Sequence, residues 1–266
     1  MREDMKLCAA CGASNSDAAK FCNECGRQLT SPGGAGEVGG AKGIERDEDA
    51  LVRLLREKAS GLRERKADVL FVLDCTGSMQ GEIDAVKDAI TDFADSIESE
   101  GVRARVGLIA FRDRLVGEEA EVLTFDGEPF TDDAAAFRRG VTRLYAGGGL
   151  DDPESSLDAM MLAVRQPFAP DASKVIVLVT DAPPHVPDLE VESVEEVAEA
   201  IRAAGIDQVY LVVRTQDPQS QIYLKLLERS RGMAFELGEG DDFRSRAENF
   251  KRTLTQMGKT ISTATR

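Results

Sequence analysis

From residue 67 onward, short apolar runs alternate with segments whose apolar residues recur every three or four positions. Asp68-Val69-Leu70-Phe71-Val72-Leu73 is a branched, apolar run bounded by charge, which predicts a strand buried on both faces of a parallel sheet. After it, Met79, Ile83, Val86, Ile90, Phe93 and Ile97 fall on one helix face. Residues 103–111 and 120–125 read as two further strands. The gap between them, 112–119, is too short for a parallel crossover, so they should form an antiparallel hairpin. Helices are expected at 131–145, 154–166, 190–204 and 218–230, and strands at 174–179, 208–213 and 233–237. Phe243, Ala247, Phe250, Leu254, Met257 and Ile261 mark a closing helix. The alternation predicts a doubly wound, mostly parallel six-stranded α/β sheet with one antiparallel edge strand.

Upstream the pattern changes. Residues 44–66 carry Leu51, Leu54, Leu55 and Leu62 on one side of a charged, amphipathic helix, which packs either on the main domain or on another protomer. Residues 31–43 are rich in glycine and read as a flexible linker. Gly34, Gly36 and Gly39 match G-x-G-x-x-G, but they follow Pro32 rather than a strand and so fail the context for dinucleotide binding. Four segments result: 1–30, 31–43, 44–66 and an α/β domain over 67–266.

Cysteine usage settles the character of the first segment. Four of the five cysteines stand as Cys8-x-x-Cys11 and Cys22-x-x-Cys25, a four-thiolate set suited to tetrahedral structural zinc. Gly12 and Gly26 each follow a knuckle, where the chain must turn about the metal. A segment this short cannot stabilise itself by apolar burial, so the metal would supply most of its folding energy. No apolar segment follows residues 1–4, so no export signal is expected, which favours metal over disulfides and a cytoplasmic location. No run approaches membrane-spanning length. The net charge of −15, which lies entirely beyond residue 30, argues against nucleic acid and anionic membranes as partners.

Chain direction then collects the polar residues. If the strand ending at Asp74 points up, its helix descends and the next strand rises to Arg112 and Asp113. The hairpin partner descends, helix 131–145 climbs, and the loop Gly147-Gly-Gly-Leu-Asp-Asp-Pro-Glu154 lands at the top. Helix 154–166 descends and the following strand rises to Thr180 and Asp181. Segments 74–78, 112–113, 147–154 and 181 therefore share the carboxyl edge, where open α/β sheets bind ligands. Asp74, Thr76 and Ser78 on one turn could merely end a strand and cap a helix. Joined by Asp151, Asp152 and Asp181, they form a hard-oxygen set suited to magnesium or manganese. His185, in Pro183-Pro-His-Val-Pro187, reads as an exposed loop residue.

Two resemblances follow from these motifs. Residues 6–29 resemble the short zinc ribbons at the ends of many bacterial proteins. Asp74-x-Thr-Gly-Ser-Met79 and Thr180-Asp181 make residues 67–262 resemble the von Willebrand factor type A domain and its metal-ion-dependent adhesion site. The resemblance implies that Thr76 and Ser78 ligate magnesium directly while Asp74 and Asp181 act mainly through water. The family's loop threonine is missing. The glycine loop is similar to the Gly-Gly-Gly-Asp-x-Pro-Glu variant of intracellular and kinase-associated members, and Phe111-Arg112-Asp113 fits that variant too. Either Asp151 or Asp152 then replaces the threonine; Leu150 adds a residue to the motif and leaves both registers open, with Asp151 favoured. The implied function is a non-enzymatic protein-interaction module whose metal captures an Asp or Glu carboxylate from a protein partner, with the ribbon as a second contact. Oligomeric state is not specified by the sequence. The alternative is a magnesium-dependent phosphotransferase or phosphatase, because Asp74-Cys-Thr-Gly-Ser78 resembles the phosphorylation loop of ion-pumping ATPases, with Asp74 as nucleophile. A serine hydrolase using Ser78 and His185 lacks the G-x-S-x-G elbow.

Overall fold

The computed structural model describes residues 5–8, 12–16, 19–22, 29, 65–81, 83–99, 102–149, 152–228 and 230–237, with positions 248, 249, 252, 255, 256, 260 and 261. The chain forms two compact units, residues 1–61 and 62–266. In the first, β1 (Met5–Leu7) and β2 (Ser14–Ser16) pair antiparallel, Met5 opposite Ser16. Gly12 turns the chain between them at φ +74°, a conformation that favours a residue without Cβ. Its N–H donates to the Cys8 carbonyl at 2.8 Å, and the Cys8 N–H donates to Ala13 at 2.9 Å. Cys8 and Cys22 are buried, and the Asn15 amide donates to the Cys22 sulfur at 3.6 Å. Cys11, Cys25, the linker 31–43 and residues 44–64 lie outside the described residues.

The second unit runs β3 (Arg65–Asp74), α1 (Ile83–Ser99), β4 (Val102–Phe111), β5 (Glu121–Val122), α2 (Ala134–Thr142), α3 (Ser156–Val164), β6 (Ser173–Val179), α4 (Val194–Ala203), β7 (Gln208–Val213) and β8 (Arg231–Glu236). These strands form one sheet in the order β5-β4-β3-β6-β7-β8, parallel except where β5 meets β4. The doubly wound, six-stranded sheet with an antiparallel edge is therefore the fold. Alternation along β3 explains its three layers. Val69, Phe71, Leu73 and Cys75 join Val86, Ile90 and Phe93 of α1 and Phe137 and Val141 of α2 in one core. Leu70 and Val72 join Leu157 and Met160 of α3 and Val197 and Ile201 of α4 in the other. Each such side chain contributes about 1.5–3 kcal/mol on burial, which is why β3 reads as an unbroken apolar run.

The structure departs locally from the sequence reading at four places. β3 reaches back to Arg65, so Arg65 and Lys66 are paired in the sheet with Val102 and Arg103 rather than helical. Met79 lies in a 3-10 turn, Gly77–Gly81, and α1 begins only at Ile83. Glycines at both ends of that turn disfavour the α-helix. The strand expected at 120–125 shrinks to Glu121–Val122, because Asp126 and Gly127 (φ 52° and 90°) make a tight turn closed by Phe125 and Glu128. Residues Ser220–Leu227 form a 3-10 helix where an α-helix is expected over 218–230. Of the closing helix, positions 248, 249, 252, 255, 256, 260 and 261 are described and helical, and Ile261 is buried in the first core.

Among the described residues no helix is long and apolar enough to cross a membrane. β3 lies between β4 and β6, so the chain direction across the sheet reverses beside Asp74. That reversal leaves a crevice at the carboxyl edge, and the polar loops meet over it.

Candidate functional site

Asp74 ends β3 and is completely buried. Its Oδ1 accepts from the Thr76 N–H at 2.9 Å and the Thr76 hydroxyl at 2.6 Å, and its Oδ2 accepts from the Thr180 hydroxyl at 2.6 Å. The Thr76 and Ser78 hydroxyl oxygens stand 3.1 Å apart. Ser78 donates to Asp181 Oδ1 at 2.8 Å, and Arg214 donates to Asp181 Oδ2 at 2.9 Å. An unbroken chain of oxygens thus runs from Asp74 through Thr76 and Ser78 to Asp181, across the ends of β3 and β6. Burial pushes the Asp74 carboxyl up to about 6, against the hydrogen bonds from Thr180 and Thr76 that pull it down. Cys75, free and buried behind the turn, has its thiol pushed up to about 12 by the same desolvation.

The glycine loop is laid over this turn by backbone hydrogen bonds. Gly147 N–H donates to Cys75, and Gly77 N–H donates to Gly148, each at 2.9 Å. Arg112 donates to the Gly147 and Tyr145 carbonyls and stacks on the Tyr145 ring. Gly148 and Gly149 have φ of +81° and +67°, and a Cβ on either would run into a carboxylate. On Gly148 it would strike Glu118; on Gly149 it would lie 2.8 Å from Glu154 Oε1 and 3.2 Å from the Thr76 Cβ. Glu118 also accepts from the Gly149 N–H at 2.8 Å. Glu154 is buried, and its Oε2 has no hydrogen-bond partner. Burial first, and then the negative charges of Asp74, Asp113, Asp152 and Glu118, push its carboxyl up to about 8.

The structure therefore brings Asp74, Thr76, Ser78 and Asp181 together. Asp152 is exposed beyond the glycine loop, next to the cis peptide at Pro153, and close enough to act on Glu154; Asp151 lies outside the described residues. His185 is half-buried rather than exposed, its Nε2 3.2 Å from Asp113 Oδ1 and its N–H donating to the Glu154 carbonyl at 3.0 Å. Sequence reasoning missed Glu154, Glu118, Arg214 and the direct bond from Thr180 to Asp74. Arg214 follows a strand that ends on the same edge, so topology could have found it; Glu118 carries no sequence signal.

Among the described residues no three His, Cys, Asp or Glu side chains are placed to hold a metal by themselves. Hydroxyls complete the set. Two of them lie between two carboxylates, and an orphaned carboxylate oxygen and a backbone cradle without Cβ atoms lie alongside, which together suit a hard divalent cation.

Residues 68–238 match the von Willebrand factor A domain, nearly two thirds of the chain. The chain belongs to the von Willebrand factor A domain family. Residues 7–29 match the zinc-ribbon domain, so the A domain is preceded by a zinc ribbon. A von Willebrand factor type A protein from Catenulispora acidiphila superposes on 71% of this chain with a TM-score of 0.54 at 22% identity, over 42% of its own length. The open conformation of the pilus adhesin SpaC from Lactobacillus rhamnosus GG covers 75% of this chain with a TM-score of 0.55 at 15% identity, over 30% of its length. Both likenesses concern the fold of the A domain. In sequence, 120 residues are 31% identical to the alpha-protein kinase vwkA of Dictyostelium discoideum, covering 44% of this chain. This chain spans about a fifth of that kinase's length and less than half of either solved chain.

Proposed function

We propose that this A domain is a cation-dependent protein-binding module without catalytic activity of its own. Asp74, Thr76, Ser78 and Asp181, with Asp151 or Asp152 from the glycine loop, would hold magnesium or manganese. A bound cation would supply an electrophilic position for an Asp or Glu carboxylate of a protein partner. The observation that carries this reading is the hydroxyl pair of Thr76 and Ser78, 3.1 Å apart and bridging Asp74 to Asp181 at the switch point of the sheet. A capping pair would not span two strands. In a chain of net charge −15, an acidic partner is attracted only where a cation locally reverses the field. The name of the SpaC adhesin, a fold neighbour, is in keeping with an interaction role.

Asp74 is a poor nucleophile in this setting. It is fully buried and already accepts hydrogen bonds from the Thr76 N–H, the Thr76 hydroxyl and the Thr180 hydroxyl, which shield it from an incoming phosphoryl group and lower its nucleophilicity. The kinase name belongs to a protein of which this chain matches about a fifth, and the phosphotransferase reading draws no support from the site. In the first unit, the buried Cys8 and Cys22, the glycine turn after the first knuckle and the match to zinc ribbons support structural zinc held by Cys8, Cys11, Cys22 and Cys25. The ribbon would then offer the partner a second contact.

The test is a pull-down with the intact chain in magnesium, in chelator and as Ser78→Ala, which removes one exposed hydroxyl and leaves the buried Asp74 network in place. Partners retained in magnesium and lost in both other arms support the reading. Equal retention in all three contradicts it.

A further inference from the structure

α2 turns its apolar side inward, where Phe137 and Val141 join the first core. Its outward side is basic. Arg138 and Arg139 of the helix and Arg143 at its C-cap are all exposed, in a chain whose net charge is −15. With Ala134, Ala135 and Thr142 they line an open cleft of about 750 Å³, in which small side chains alternate with long cationic ones. The fold does not require this much positive charge. Cations near a helix C-terminus offset its dipole, which accounts for one or two of the three. Arg139 and Arg143, one turn apart, repel each other. The acidic residues at the start of α2 are engaged at its N-terminal end. Asp133 accepts from the Ala135 and Ala136 N–H groups and lies 3.9 Å from Arg139, and Asp132 lies 3.7 Å from Arg103. Such exposed ion pairs contribute little and are readily exchanged for contacts with a partner.

We infer that the arginine face of α2 is a docking site for a short acidic segment of a partner protein, and that it binds this segment without a divalent cation. The inference does not rest on the cation site proposed above. Guanidinium groups hold carboxylates through paired, parallel hydrogen bonds, which ammonium groups cannot reproduce. The arginine stems and the two alanines offer apolar contact to the side chains between those carboxylates. A short segment is favoured over an extended polyanion by what lies next to the arginines. Arg138 and Thr142 also border a second cleft, of about 580 Å³, whose α1 wall carries Asp84, Asp88 and Asp92. Those carboxylates, in a chain that is acidic as a whole, repel a nucleic acid or an anionic membrane running past the arginines. A segment confined to the first cleft avoids them, since among the described residues no acidic side chain lines it.

The experiment is fluorescence anisotropy at low salt, with the zinc-loaded, full-length protein and a labelled short glutamate-rich peptide. The same peptide with glutamines for glutamates, and labelled single-stranded DNA, are the comparison probes. Wild type is set beside the triple variant Arg138→Gln, Arg139→Gln, Arg143→Gln and the triple variant Arg138→Lys, Arg139→Lys, Arg143→Lys. Arg143→Gln alone and Arg202→Gln on the exposed side of α4 complete the set. The glutamate peptide should bind wild type and Arg202→Gln equally, in magnesium and in chelator, and the glutamine peptide should not bind. The triple Gln variant should lose affinity by about tenfold or more, and the triple Lys variant, which keeps the charge but not the paired hydrogen bonds, should fall between. Arg143→Gln alone should lose part of the affinity and serves if the triple Gln variant does not fold. No binding to wild type, or unchanged affinity in Arg143→Gln and the triple Gln variant, overturns the inference. DNA bound as tightly as the peptide also overturns it, since the face would then take any polyanion. Loss of the peptide in chelator overturns it as well, because the peptide would then be held by the cation.

Discussion

Gly149 and Gly117 separate two reasons for a glycine. Both have positive φ, but a Cβ on Gly117 meets nothing within 4 Å, whereas on Gly149 it meets Glu154 and Thr76. Gly117→Ala should therefore cost only the backbone strain, about 1–2 kcal/mol. Gly149→Ala should cost more and should also weaken divalent-cation binding. Urea denaturation of both variants checks this, and equal losses would mean that the cradle is not tightly packed. Cys75 makes the complementary point at the same scale. Its thiol is buried in the first core and pushed up to about 12, so almost no thiolate exists at pH 8. Peptide mapping after iodoacetamide treatment should find Cys75 unmodified in the native protein and modified in denaturant. Stoichiometric native labelling would show that the turn opens.

At the scale of elements, one side chain caps a helix and another ties two helices to the strand end beside the site. Asp133 caps α2, accepting from the Ala135 and Ala136 N–H groups, and Asp133→Ala should cost about 1 kcal/mol by thermal denaturation. The Tyr223 hydroxyl, fully buried in the 3-10 helix Ser220–Leu227, lies 2.7 Å from Ser156 of α3 and donates to the Ala182 carbonyl at 3.0 Å. Tyr223→Phe removes both links and should cost about 1–3 kcal/mol, with little change in cation binding. These contacts also show what a sequence can carry. β3, β6 and β7 are legible because strands buried on both faces are mostly apolar, β4 is legible by its alternation from Arg103, and chain direction alone brings Asp74, Thr76, Ser78 and Asp181 to one edge. Met79 was misplaced because its burial is compatible with either helix type, while Gly77 and Gly81 decided the local backbone. Glu154 stood in the quoted loop motif without a role, since burial and the lack of a partner depend on Gly149, Pro183 and His185, none of which is periodic with it. His185 was misjudged for the same reason, its partner Asp113 being 72 residues away.

At the scale of the whole molecule, the chain divides into two units; the zinc-ribbon segment of the first is too short to stabilise itself by apolar burial, and the second is built around two cores. If zinc holds the first, chelation should abolish protection from hydrogen exchange in residues 5–29 and leave β3, β4, β6 and β7 protected. Loss of protection throughout would show that the units fold as one. The acidic balance adds a second dependence. Asp74 and Glu154 are both pushed up by burial and by acidic neighbours, so a cation that binds the folded state alone stabilises it by mass action. The central claim is that this cation sits on the hydroxyl bridge between Asp74 and Asp181. The most direct measurement is the melting temperature of the zinc-loaded chain with and without millimolar magnesium, in wild type and in Ser78→Ala. The account predicts a rise of several degrees in wild type, for a stabilisation of about 1–3 kcal/mol, and little or none in the variant. An equal rise in both would place the cation elsewhere and contradict the account.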